Sequence, residues 1–431
     1  MTATRLATAK PASLRQLACV ALCVCSLVLG GCQTVPQVSP PQTAVEDAEA
    51  PVADTPSGHA ASDVAHVTAI GQQILSDGGS AGDAVVAMSL SLTVALPSRM
   101  GLAAGGLCLV HDPATGESET LDMMLRADYE GRLLPVLPRG LLVLHGRSGR
   151  LDWPDLLAPA LSLSRSQQAE FSPLLKSDLA HEDVPEEMRQ RFAATEAGTF
   201  GNQESFLALT LLAGASAAPF SGGEPGAEIS AALGISQAAL IEAAPDWRRT
   251  IPVPVGGHGL RFADPGDSFS PAAIGTANLL RNDLWSSLTE RIEQDATIAA
   301  QISTITGRND AYIQQPTTSV AAIDTSGGAA GCIFSLGGLF GTGDWLTEWG
   351  SPRPGPMDPL SLGGPAVAVD EVSAKARLIA TGATGNWPDE QTSDTPTAPA
   401  NLMWTLLQHL QSEQDANRTN PAGSGHLLVA P

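Results

Sequence analysis

Thr317-Thr318-Ser319-Val320-Ala321-Ala322-Ile323-Asp324 is the stretch on which the reading of the fold turns. Its β-branched and small apolar residues suit a buried strand. Ser326-Gly327-Gly328 supplies a turn, and residues 329–336 (Ala-Ala-Gly-Cys-Ile-Phe-Ser-Leu) return as a second strand, so a hairpin is expected. The loop that follows, Gly337-Gly338-Leu339-Phe340-Gly341-Thr342-Gly343, is rich in glycine but does not fit the G-x-x-x-x-G-K-[ST] pattern of a phosphate-cradling loop. Upstream, Val64, Val67, Ile70, Ile74 and Leu75 recur at helical spacing until Gly78-Gly79 interrupts them. A second helix starts at once. Ser80 and Asp83 have the spacing of a capping box, and the apolar run ends at Leu96, before Pro97. After Gly105-Gly106, residues 107–110 read as a strand, 111–116 as a turn and 118–122 as the returning strand.

The chain has 431 residues, 43% hydrophobic, 16% charged and 4% aromatic, enough apolar sequence for a sizeable core. Acidic residues outnumber basic ones 45 to 23, and the formal net charge of -22 repels phosphate backbones, so nucleic acid is excluded as a partner. The 43 glycines and 32 prolines show no collagen-like or tandem period. His59, His66, His111, His145, His181, His258, His409 and His426 show no metal-binding spacing and read as scattered surface or core residues; neither a metal nor another cofactor is expected. Of six cysteines, only Cys108 and Cys332 lie in the body of the chain. Their pairing is open at the level of sequence, since a bridge needs Cα atoms within about 7 Å, and two buried free thiols are the expectation.

The first 31 residues read as an export signal: Arg5, Lys10 and Arg15 without an acid, an apolar run over residues 17–29, then Gly30-Gly31. At about 13 residues the run is short of the roughly 20 that a spanning helix needs. Leu29-Gly30-Gly31-Cys32 resembles a bacterial lipobox. That implies cleavage before Cys32, lipidation of this cysteine and a periplasmic protein anchored through lipid to the outer membrane, because Gln33 is not the aspartate of inner-membrane retention. Residues 32–58 hold five prolines, four acids and no aromatic residue, a composition that cannot offset its ordering entropy and reads as a disordered tether. Folded sequence is expected from His59.

Gly78-Gly79-Ser80-Ala81-Gly82 also fits G-x-S-x-G, the nucleophile elbow of many hydrolases. That device needs a strand to enter it. Here a helix enters, so Ser80 reads as a helix N-cap.

Residues 69–122 include Gly78-Gly79-Ser80-Ala81-Gly82-Asp83-Ala84, Gly101-Leu102-Ala103-Ala104-Gly105-Gly106 and Leu121-Asp122, and resemble the amino-terminal part of gamma-glutamyltransferases, also called gamma-glutamyltranspeptidases. Pro138-Arg139-Gly140 and residues 153–160 (Trp-Pro-Asp-Leu-Leu-Ala-Pro-Ala) extend the resemblance, which thins between 165 and 310. Residues 317–343 resemble without a gap the start of that family's small subunit. The resemblance implies an α+β fold, the four-layer αββα sandwich of the N-terminal-nucleophile hydrolases. A large-subunit-like region would span 59–316 and a small-subunit-like region 317–431. It implies self-cleavage before Thr317, which makes Thr317 the nucleophile and its freed α-amine the base. Ser335 stands where the family has a threonine that bonds the nucleophile and assists processing. Gly385 and Asn386 fall in the loop whose backbone N–H groups hold the oxyanion. The implied substrate is a small gamma-glutamyl compound such as glutathione, hydrolysed or transferred through an acyl-enzyme.

Several positions depart from the family pattern. Met124 stands where an arginine for the glutamyl carboxylate belongs; Arg126, on the same strand face about 7 Å further along, is the replacement. Around the glutamyl amino group Asp358 and Ser361 remain, but Pro359 replaces an acid, Leu362 a serine and Gly337 an asparagine. Ser319 replaces a histidine, and Pro316 puts a residue of restricted φ at the expected cleavage point. The alternative reading is a non-catalytic envelope lipoprotein that retains the scaffold for binding or assembly.

Overall fold

The computed structural model describes residues 58–165, 169–192, 199–200, 202–215, 222–255, 258–264, 315–357, 365–382, 418–419 and 425–430. Along the chain these form β1 (Gly58–Ser62), α1 (Ala65–Ser76), α2 (Ala81–Ala95), β2 (Gly105–Asp112), β3 (Glu117–Met123), α3 (Leu137–Ser148), α4 (Trp153–Arg165), α5 (Pro173–Ala180), β4 (Asp246–Arg249), β5 (Ile251–Val255), β6 (His258–Phe262), β7 (Thr317–Asp324), β8 (Ala329–Ser335), β9 (Ala366–Asp370), β10 (Lys375–Gly382), β11 (Arg418–Thr419) and β12 (Gly425–Val429), with further helices between α5 and β4. Two six-stranded antiparallel sheets result, ordered β1-β7-β8-β2-β3-β4 and β11-β12-β10-β9-β6-β5. Both draw strands from either side of the 316/317 junction.

Alternation along β7 explains the layering. Val320 and Ala322 join the core shared with α1 and α2, whereas Ala321 and Ile323 join the one shared with Val367, Ile379 and Leu428 of the second sheet. The described helices and the two sheets thus supply helix, sheet and sheet of the expected sandwich. Gly331 lets the sheets close: a Cβ there would lie 2.9 Å from Thr381 Cγ2.

The expected capping box opens α2. Ser80 Oγ accepts the Asp83 N–H and Asp83 Oδ2 accepts the Ser80 N–H, both at 2.9 Å. Every residue of α2 is buried, and Ser89 and Ser91 are tolerated there because their hydroxyls donate to the Val85 and Ala87 carbonyls at 2.7 and 2.8 Å. Asp324, at the end of β7, accepts the Ala81 N–H at 3.1 Å and the Ser326 and Gly328 N–H groups of its own turn. One carboxylate therefore ties the hairpin to the helix start. No described helix is long and apolar enough to cross a membrane.

Two expectations are corrected. The described chain opens with a strand, not a helix: β1 is an edge strand, recruited by pairing with β7 from Gly58 opposite Asp324 to Ser62 opposite Val320. Cys108 and Cys332 are not free thiols. They stand directly opposite each other on β2 and β8 and form a disulfide. Only the adjacency of those strands makes the pairing visible.

Candidate active site

The space between the sheets is apolar along most of its length, lined by residues such as Leu107, Leu109, Ala321, Ile333, Val369 and Ile379. Where β7 begins it turns polar. Thr317, Ser319, Ser335, Thr381 and His426 are all buried there, and Thr381 Oγ1 donates to Ser319 Oγ across the gap at 3.2 Å. Buried polar groups cost free energy unless partnered, so this end of the interlayer is the part not explained by packing alone.

Ser335 is opposite Thr317 across the hairpin. Its hydroxyl donates to the Pro316 carbonyl at 2.8 Å, while its Oγ accepts the Gly337 N–H at 2.9 Å. The incoming N–H occupies a lone pair and leaves the hydroxyl proton directed at Pro316. The carbonyl just ahead of Thr317 thus faces a fixed donor, the arrangement that stabilises negative charge developing on that oxygen.

Because β1 stops at Ser62, residues 317–319 run beyond it, and side chains meet the edge they would leave bare. Asp63 Oδ2 accepts the Thr318 hydroxyl at 2.5 Å and the Ser319 N–H at 3.1 Å. Asp63 Oδ1 lies 3.2 Å from His426 Nε2 on β12, close enough for charge attraction, although the ring is not aligned for a straight hydrogen bond. Burial pushes the Asp63 carboxyl up, but His426, Thr318 and Ser319 together outweigh burial and hold it below the ordinary carboxylate range. A depressed carboxyl contributes stability above its unfolded pKa, and that contribution is lost as pH falls through the lower folded value. Asp63→Asn is expected to lower stability at neutral pH and to flatten its decline below about pH 4, as read by urea denaturation across pH.

Neither Asp63 nor His426 is marked in the sequence. His426, which reads there as one of several scattered histidines, becomes Asp63's buried partner only because β12 brings it across from the other sheet. Arg99 and Asp178 are equally unannounced; Arg99 Nη1 reaches the Thr317 carbonyl at 3.1 Å.

Arg126, expected to meet a substrate carboxylate, is engaged with Asp122. Its Nη1 lies 3.1 Å from Asp122 Oδ2 and its Nη2 donates to the Asp122 carbonyl at 3.3 Å, while Arg248 of β4 reaches the same Oδ2 at 2.9 Å. Met124 is buried in the core between the sheets. Gly337 has a φ of 82°, and a Cβ there would stand 2.5 Å from the Pro356 carbonyl oxygen, so the family's asparagine has no room in this backbone. Gly385, Asn386, Asp358, Ser361 and Cys32 lie outside the described residues. A cavity of about 240 Å³ opens at the opposite end of β7, lined by Ser80, His111, Arg150 and Asp324 but not by Thr317. Among the described residues no group of three or more His, Cys, Asp or Glu side chains is placed to hold a metal ion.

Known proteins resemble parts of this chain in sequence or in fold. Residues 67–130 match the family model of gamma-glutamyltranspeptidase. Glutathione hydrolase 7 of Rattus norvegicus is 34% identical over 157 residues, which cover 32% of this chain and 23% of the relative. Glutathione hydrolase 6 of Homo sapiens is 35% identical over 135 residues, covering 30% of this chain and 27% of the relative. The chain therefore matches less than a third of the length of these curated relatives. Cephalosporin acylase from Bacillus halodurans, in its crystal structure, superposes with a TM-score of 0.60 over 89% of this chain and 87% of that one at 17% identity, a likeness of fold. The chain is thus related in its amino-terminal sequence to the gamma-glutamyltranspeptidases, and it is folded as the αββα sandwich of the N-terminal-nucleophile hydrolases.

Proposed function

We propose that this protein is an amide hydrolase or acyl transferase of the gamma-glutamyltranspeptidase type, which activates itself by cleavage before Thr317. The observation that carries the reading is the Ser335 hydroxyl held 2.8 Å from the Pro316 carbonyl oxygen, beside a buried threonine. In the first step Thr317 Oγ attacks the Pro316 carbonyl carbon. The O–C bond forms, the C–N bond between Pro316 and Thr317 breaks, and the hydroxyl proton ends on the departing nitrogen, leaving an ester. Water then hydrolyses the ester to a Pro316 carboxylate and a Thr317 with free hydroxyl and α-amine.

A free α-amine has a reference pKa of roughly 7.7–8.0, so near neutral pH part of it is unprotonated and can accept the Thr317 proton during attack on a substrate amide. The N–H groups of Gly385 and Asn386 hold the oxyanion. Water resolves the acyl-enzyme in hydrolysis, an amine in transfer. Because glutathione hydrolases are among the sequence relatives, the substrate class is a gamma-glutamyl amide such as glutathione. With Met124 and Gly337 in place of two polar side chains, Asp358 and Ser361 are left to meet the glutamyl head group, joined by Arg126 only if it exchanges Asp122 for the substrate.

The same reading makes residues 1–31 a cleaved signal, Cys32 the lipidated residue, 32–58 the tether, and the periplasmic face of the outer membrane the location. The Cys108–Cys332 disulfide supports an oxidising compartment. Hydrolysis of a chromogenic gamma-glutamyl anilide tests the chemistry: Thr317→Ala is expected to be at least about 10³-fold slower than wild type, and equal rates would remove Thr317 from the mechanism.

A further inference from the structure

We propose, on the reading of Thr317 as nucleophile, that Arg99 is a positioning residue: it holds the carbonyl that follows the nucleophile, as Ser335 holds the one before it.

Arg99 lies in the turn after α2 and is buried. Its Nε and Nη2 donate to the two carboxylate oxygens of Asp178 on α5, at 2.8 and 2.7 Å, in a planar fork. Ser98 Oγ donates to the same carboxylate at 2.6 Å. The fork fixes the plane of the guanidinium and leaves Nη1 directed at the Thr317 carbonyl, 3.1 Å away.

Stability alone does not account for this arrangement. A buried ion pair recovers its desolvation cost poorly, and apolar residues of similar volume serve a core as well or better. What the fork supplies is an N–H of set direction on the Thr317 carbonyl oxygen. The two peptide groups that flank Thr317 are then both restrained by side-chain donors, Ser335 on the Pro316 carbonyl and Arg99 on the Thr317 carbonyl. With φ and ψ of residue 317 restrained, the approach of Thr317 Oγ to the Pro316 carbonyl carbon depends chiefly on χ1. Freezing the other torsions in advance is how a fold turns geometry into rate. Once the bond is cut, Ser335 loses its partner on this chain end, and Arg99 continues to fix the residue that carries both nucleophile and base.

The test follows the splitting of freshly translated full-length precursor over time. Arg99→Met combined with Asp178→Leu replaces the pair by apolar side chains of similar size. This double variant is expected to keep a melting temperature close to wild type yet split at least about tenfold more slowly. Arg99→Lys keeps a charge for Asp178 but cannot serve both its oxygens and the Thr317 carbonyl from one plane, and is expected to split at an intermediate rate. A double variant that splits at the wild-type rate overturns the proposal, as does a lysine variant no faster than the double variant. Should the double variant fail to fold, Arg99→Lys decides alone: slower splitting at an unchanged melting temperature supports the proposal, and the wild-type rate overturns it. A wild-type precursor that never splits removes the nucleophile reading and this inference together, whereas a splitting wild type beside an equally fast double variant removes this inference only.

Discussion

Ser335→Ala is expected to slow cleavage between Pro316 and Thr317 by about 10²–10³-fold, the usual loss when one donor to a developing oxyanion is removed. In the proposed cleavage the Pro316 carbonyl oxygen gains charge as Thr317 Oγ attacks its carbon, and the Ser335 hydroxyl already stands 2.8 Å from that oxygen. That donor is not free to rotate away, because the Gly337 N–H is directed at its oxygen. Alanine would leave the Gly337 N–H without that acceptor, at a cost of about 1–3 kcal/mol, which a sheet of this size can carry. Ser335→Thr keeps the hydroxyl and is expected to retain most of the rate. Both variants are compared with wild type by following precursor and products on denaturing gels. An alanine variant that splits as fast as wild type would reduce the Ser335 contact to a structural one.

The second large effect concerns the disulfide. Cys108 and Cys332 lie on neighbouring central strands of the first sheet, on opposite sides of the proposed cut. In the uncut chain the bond closes a sequence separation of 224 residues, and its removal is expected to cost about 2–5 kcal/mol. After the cut the same bond becomes the covalent link between two chains. Cleaved wild-type protein should therefore run as one species without reductant and as two with it. Cys108→Ala should give two species under either condition and a lower melting temperature. Separation of the wild-type chains without reductant would return both cysteines to the free thiols expected from sequence.

What the sequence disclosed was local. The boundaries of β7, the turn at Gly327, the Ser80–Asp83 capping box and the end of α2 before Pro97 all depend on residues a few positions apart, and each stands where the pattern put it. β1 carries no such signal: Gly-His-Ala-Ala-Ser becomes a strand because β7 offers it an edge. The short strands β4 to β6 likewise depend on the sheets they extend.

The candidate site divides in the same way. Thr317 and Ser335 were singled out through the family resemblance, and the hairpin sets them face to face. Asp63, His426, Arg99 and Asp178 were not, since each meets its partner through an element far off in the chain. A buried arginine or histidine is explained only once the chain is folded and its partner can be seen. Gly337 shows the converse: its departure from the family pattern is plain in sequence, but its cause, the Pro356 carbonyl behind it, is a matter of packing.

The central claim is that this chain cuts itself ahead of Thr317. Protein purified from its own envelope fraction, reduced and examined by amino-terminal sequencing and intact mass, tests it most directly. The account predicts two polypeptides, one of them beginning Thr317-Thr318-Ser319-Val320. A single polypeptide continuous through Pro316 and Thr317 would contradict it.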